Sequence, residues 1–225
     1  MKGSNILDAK ISTMKTHRFL LTAALVACCF IVSQAQSNYG EFKWGLTGGV
    51  SFASMNNADS RNDLGSFEKD KGKVGLVGGA FCKIPLSHKA SIRPELLFHM
   101  KGATLNYTGD IGSTVKDRFS LNYIELPLSL DFEFMGIIDL HAGVQGAFLL
   151  GKTLKEDGEK VDLPDDFYNK TEFGFHIGTG IDLGNIGLHV RFQQSLNSFL
   201  KKELLPDFNP RNWGITLTGA YMFVN

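Results

Sequence analysis

The chain has 225 residues, no net formal charge, 43% hydrophobic residues and 20% charged ones. That balance excludes a wholly disordered chain, and neutrality argues against a protein held to nucleic acid by phosphate neutralisation. The length suits one domain of ordinary size.

Residues 1–35 read as an export signal and not as part of the fold. Lys15, His17 and Arg18 form a basic start, and Met14 just before them is an alternative start of translation. Phe19 to Val32 is an apolar run of 14 residues, short for a transmembrane helix. Ser33-Gln34-Ala35 places small residues where a signal peptidase reads, so cleavage is expected after Ala35. Leu25-Val26-Ala27-Cys28 also resembles a lipobox, but the apolar run continues through Cys29-Phe30-Ile31-Val32, which disfavours cleavage there. The mature domain is then 36–225. Cys82 is its lone cysteine, so no internal disulfide supports this exported chain.

Period-2 alternation runs through the mature chain and predicts strands with two unlike faces. The expected strands cover Phe42–Phe52, Val74–Ile84, Ile92–Met100, Phe119–Phe134, Ile138–Leu150, Glu172–Leu183, Ile186–Gln194 and Trp213–Phe223. Their apolar faces carry no charge, and several reach the 9–11 residues of a tilted membrane strand. Short connections at Pro85–Lys89, Met135–Ile137 and Gly184-Asn185 alternate with long polar ones at Met55–Gly72, Asn106–Arg118, Lys152–Lys170 and Asn197–Asn212. This is the layout of an all-β, eight-stranded, antiparallel up-and-down transmembrane β-barrel, with short periplasmic turns and long external loops.

A soluble barrel would turn the same apolar faces inward, and alternation alone does not choose between the two. Aromatic placement does. Phe42, Trp44, Phe132, Phe134, Tyr221 and Phe223 fall near one rim, and Phe52, Phe98, Phe148, Phe173, Phe192 and Trp213 near the other. Two girdles suit a bilayer's interfaces. Glycines on the polar face, such as Gly49, Gly79, Gly143 and Gly178, suit a narrow barrel interior that side chains just fill. Pro94 and Pro127 lie inside strands that should be fully paired, and bulges are expected to accommodate them.

Ser91-Ile92-Arg93-Pro94-Glu95-Leu96-Leu97-Phe98 with Lys101-Gly102, Asn122-Tyr123-Ile124-Glu125-Leu126-Pro127-Leu128, and Leu140-His141-Ala142-Gly143-Val144-Gln145-Gly146 up to Leu149-Leu150 resemble three segments of the PorT-like outer-membrane β-barrel family of Bacteroidetes, often called the porin family. The resemblance covers essentially the whole mature chain and implies an eight-stranded outer-membrane barrel. It does not imply a pore. One member has a secretion role, which the resemblance does not carry over.

The inward face is expected to hold a structural ion-paired network of Arg93, Glu95, Lys101, Glu125, Asp131, Glu172 and Arg191, joined by Glu133, Asp139 and Asp182. His99, His141, His176 and His189 share that face, but no H-x-x-x-H spacing unites them, so they read as lumen hydrogen-bonding groups and no metal or other cofactor is expected. No nucleophile stands beside a base in a recognisable motif, and no catalytic residue is assigned. The acidic stretch Lys152–Lys170 reads as a solvated loop, with a contact site for a partner, a glycan or a divalent cation bridging lipopolysaccharide as the sharper alternative. The expected surroundings are outer-membrane lipid, lipopolysaccharide and a barrel-assembly machine, for which Tyr221-Met222-Phe223 is an imperfect terminal aromatic signal. The leading expectation is a non-catalytic outer-membrane barrel with a structural, interaction or secretion-associated role. The alternatives are a small-solute channel and a soluble periplasmic lipocalin-like barrel with an apolar ligand.

Overall fold

A computed structural model describes residues 41–56, 60–62, 65–109, 114–156, 159–161, 169–200 and 210–223. The export signal, the tips of the external loops with most of the acidic stretch, and Val224-Asn225 lie outside the described residues.

Eight long antiparallel strands follow one another around a closed sheet. They are β1 (Lys43–Asn56), β3 (Gly65–Pro85), β4 (Ala90–Gly109), β5 (Thr114–Phe134), β6 (Ile138–Glu156), β8 (Thr171–Leu183), β9 (Ile186–Ser195) and β10 (Arg211–Phe223). Each pairs with its neighbours in chain order, and β1 closes the ring by pairing with both β10 and β3. Two three-residue strands, β2 (Ser60–Asn62) and β7 (Glu159–Val161), fold back onto the tops of β3 and β6. Closure removes the unpaired edges that an open sheet would leave in lipid.

The side-chain facing decides the class of barrel. Leu46, Val50, Leu76, Leu96, Leu128, Val144, Ile177, Val190 and Leu217 are all exposed, whereas Arg93, Glu95, His99, Lys101, Glu125, His141 and His176 are buried. The apolar faces point outward and the charges inward, so the soluble lipocalin-like alternative is overturned: among the described residues alone it would put 32 large hydrophobic side chains, from 41% to 77% exposed, into water. The rims carry paired rings. Trp44 stacks on Phe223 at 4.3 Å between centroids at the turn end, and Trp213 packs near Phe52 and Phe192 at the opposite end.

Two expectations need correction. The strands β3 to β6 run 19 to 21 residues and take in ground assigned to loops, at Gly65–Gly72, Asn106–Gly109, Thr114–Arg118 and Lys152–Glu156. The prolines need no bulge either. Pairing of β3 with β4 stops at Phe81↔Glu95 and resumes in the same register at Ile84↔Ile92, skipping Pro94. Pairing of β4 with β5 stops at Pro94↔Leu128 and resumes in register at Leu97↔Glu125, skipping Pro127. Each proline leaves a short unpaired stretch on one side only, where its absent N–H would have bonded. The register shifts lie higher, at Lys69/Lys71, Gly72/Val77 and Asn122/Tyr123.

Candidate functional site

The interior charges sort into layers along the barrel axis, because each strand contributes every second residue. At the outer layer Lys101 Nζ on β4 lies 2.6 Å from Glu125 Oε1 on β5 and 2.7 Å from Glu172 Oε1 on β8. Glu172 also accepts hydrogen bonds from Asn212 Nδ2 at 2.6 Å and Ser195 Oγ at 2.5 Å. His99 Nδ1 sits 2.9 Å from Glu125 Oε2, and the Lys101 ammonium lies 5.2 Å from the Tyr123 ring centroid.

In the middle layer Arg191 bonds Glu95, and the Arg93 guanidinium stands 3.4 Å from the same carboxylate and 4.5 Å over the Phe81 ring. Ser129 and His176 are bonded at 2.8 Å. At the turn end Lys83 Nζ reaches Asp182 at 2.7 Å, Asp139 at 3.1 Å and Asp131 at 3.8 Å. His141 Nδ1 is 2.8 Å from Asp139 Oδ1, and His189 Nε2 is 3.1 Å from Asp182 Oδ1.

All seven residues read from the sequence as a network face this interior and make contacts in it. Glu133 differs: it is exposed and lines the turn-end mouth. Lys83 was missed. Its strand's inward face otherwise reads Gly75, Val77, Gly79 and Phe81, so nothing polar marks that face until its last position. Apolar residues also fill the lumen, among them Val77, Leu97, Leu121, Tyr123 and Met222, all buried.

A cavity of about 310 Å³ opens at the turn end, lined by Lys83, Asp131, Asp139, Asp182, Lys43 and Glu133 among others. Above it the recess between Glu95, His99 and Arg191 holds about 10 Å³, room for roughly one water.

A family model described as "Outer membrane protein beta-barrel domain" matches residues 34–201. The chain belongs to this outer-membrane β-barrel family. Solved structures with a similar fold include Neisserial surface protein A (10% identity, 83% of this chain and 100% of that one, TM-score 0.50). Others are the attachment invasion locus protein Ail of Yersinia pestis (11%, 82% and 100%, 0.48) and OprG of Pseudomonas aeruginosa (9%, 84% and 99%, 0.47). No curated protein sequence matches it at a significant level. Family membership places this barrel in the outer membrane, and the short connections at the turn end make it the periplasmic end.

Proposed function

We propose that this protein is a non-conducting, non-catalytic barrel of the PorT-like type found in Bacteroidetes. Its role would be to anchor an external surface for contact with a protein partner, in secretion or envelope maintenance. One observation carries this reading: the lumen is filled by ion-paired layers whose Arg93, Lys101, Tyr123 and Glu125 side chains are at most 2% exposed, and the recess between the layers has room for about one water. Eight strands leave an interior that side chains just fill. The "PELL" and "YIELPL" segments, whose prolines fall on the β3–β4–β5 seam beside Arg93 and Glu95, support the finer family assignment.

Planar-bilayer recording tests the closed lumen. The barrel, folded in detergent and verified by heat-modifiable gel mobility, is expected to give no discrete conductance steps. Reproducible steps from the folded form would overturn the reading in favour of the small-solute channel.

Lipopolysaccharide is the expected lipid partner, and a basic cluster above the apolar belt would suit it. On β5 the alternation puts Arg118 and Ser120 on the outward face with Ile124. Lys155 of β6 stands directly opposite Arg118. Lys73 donates to Ser120 Oγ at 2.5 Å and lies within electrostatic reach of both basic residues. Three like charges close together, just above the apolar belt, suit the phosphates of an anionic headgroup. Replacing Lys73, Arg118 and Lys155 by glutamine should remove about 1 kcal/mol per charge of stabilisation in lipopolysaccharide bilayers and leave stability in neutral phospholipid unchanged. Equal losses in both lipids would show a structural role instead.

A further inference from the structure

We infer that the periplasmic end of the lumen holds a binding site for one divalent transition-metal ion of the zinc type, built from Asp139 and His141 on β6 and His189 on β9. Sequence spacing gave no sign of it, because the three ligands are brought together by the barrel's closure. Asp139 and His141 are two residues apart on one inward face, while His189 arrives from two strands away, across β8.

The geometry fits a metal. One ligand atom from each of the three residues lies within 4.8 Å of the others. His189 Nδ1 is 3.9 Å from Asp139 Oδ1, and the His141 and His189 ring centroids are 6.0 Å apart. Zinc bound to nitrogen and oxygen at about 2.0–2.1 Å in tetrahedral geometry needs donors about 3.3 Å apart, a small adjustment from these spacings.

Three further observations point to a ligand. His189 Nδ1 is buried and has no hydrogen-bond partner among the described residues, although its ring is only 3% exposed. Its other nitrogen, Nε2, is 3.1 Å from Asp182 Oδ1, out of hydrogen-bond alignment but within a small ring rotation of the carboxylate–histidine arrangement that orients a metal-binding imidazole. The rings also rest in spaces only glycine leaves open. A Cβ at Gly178 would lie 2.4 Å from His141 Nε2, one at Gly180 would lie 2.2 Å from His189 Nδ1, and one at Gly187 would lie 2.6 Å from His189 Nε2.

The charge count agrees. Among the described residues of the ion-paired layers, the carboxylates Glu95, Glu125, Asp131, Asp139, Glu172 and Asp182 outnumber the cations Lys83, Arg93, Lys101 and Arg191, and both Asp131 oxygens lack a hydrogen bond. A divalent cation at Asp139 would offset that excess where it is concentrated. Ligation through His141 Nδ1 would move the ring proton it now shares with Asp139 Oδ1 to Nε2. Lys83 would keep Asp139 Oδ2, and Arg191 would give up its long 3.4 Å contact to His141 Nε2 while keeping Glu95. Asp139 lines the periplasmic cavity, so the ion has an entry path and a water can fill the remaining position. Two nitrogen donors favour zinc, nickel or copper over magnesium or calcium.

The experiment uses the full barrel folded in detergent, without a polyhistidine tag, and zinc chloride alone as the probe. Isothermal titration is expected to give one ion per chain at micromolar affinity or tighter. Cobalt substitution should show the intense absorption of a four- or five-coordinate ion. His189→Gln and His141→Gln should each weaken binding at least tenfold, Asp182→Asn by about tenfold, and His99→Gln, in the outer layer, by less than twofold. Gel mobility shift checks the fold of each variant, and if the histidine variants fail to fold, Asp182→Asn and the cobalt spectrum of the unaltered barrel carry the test. No saturable uptake by the folded barrel below millimolar zinc would overturn the site. So would His189→Gln or His141→Gln binding as tightly as the parent, or an octahedral cobalt spectrum.

Discussion

Lys101→Met is expected to destabilise the barrel by about 3–5 kcal/mol, the cost of removing one member of a buried ion pair. The substitution leaves the carboxylates of Glu125 and Glu172 facing each other without their shared ammonium, 1% and 3% exposed. Glu172 keeps Asn212 and Ser195 as donors, and Glu125 keeps His99, but none of these is a permanent cation. Urea unfolding followed by gel mobility measures the loss. Adding Glu125→Gln to Lys101→Met removes the stranded charge and should recover a large part of it. A loss below about 1 kcal/mol would place the pair in the range of solvent-screened surface bridges. The outer layer would then be wet, and the case for a closed lumen would fail with it.

Leu128→Lys is expected to cost about 2–4 kcal/mol in a bilayer, the range measured for lysine or arginine on the lipid face at mid-depth. Leu128 is 49% exposed and stands between Pro94 and Val144 on the outward face. Phe134→Lys, beside the Met135–Ile137 turn, should cost only about 0–1 kcal/mol because it sits at the interface. A water-soluble barrel would show the reverse indifference: lysine at an exposed leucine would be neutral at both positions. Equilibrium unfolding in lipid vesicles separates the two, and equal costs at Leu128 and Phe134 would contradict the depth assignment.

The facing of the strands was legible because lipid and lumen impose opposite demands on alternate residues. That contrast wrote Leu126, Leu128 and Leu130 against Glu125, Ser129 and Asp131. Lys69-Asp70-Lys71 carries no alternation of apolar and polar residues and reads as loop although it is strand. Lys83 escaped notice because it ends an inward face of glycine, valine and phenylalanine. The grouping of His141 with His189 escaped because it depends on how high each histidine sits. A period of two says which side a residue faces and nothing about its height.

The unequal strand lengths have a consequence for life in a crowded membrane. Four consecutive strands outlast the other four, which run 10 to 14 residues. At about 3.3 Å per residue, roughly 20 Å of sheet stands above one half of the ring as a parapet. A free-standing wall has two raw flanks, and each would invite a neighbouring copy to add its own backbone. Pairing of β1 with β3 ends at Ala53↔Lys73 and pairing of β6 with β8 at Phe148↔Thr171, and higher up β2 lines β3 at Gly65–Phe67 and β7 lines β6 at Leu154–Glu156. The upper part of each flank is thus hemmed by a hairpin of the same chain, so copies packed side by side meet turned-back strands there that are only three residues long.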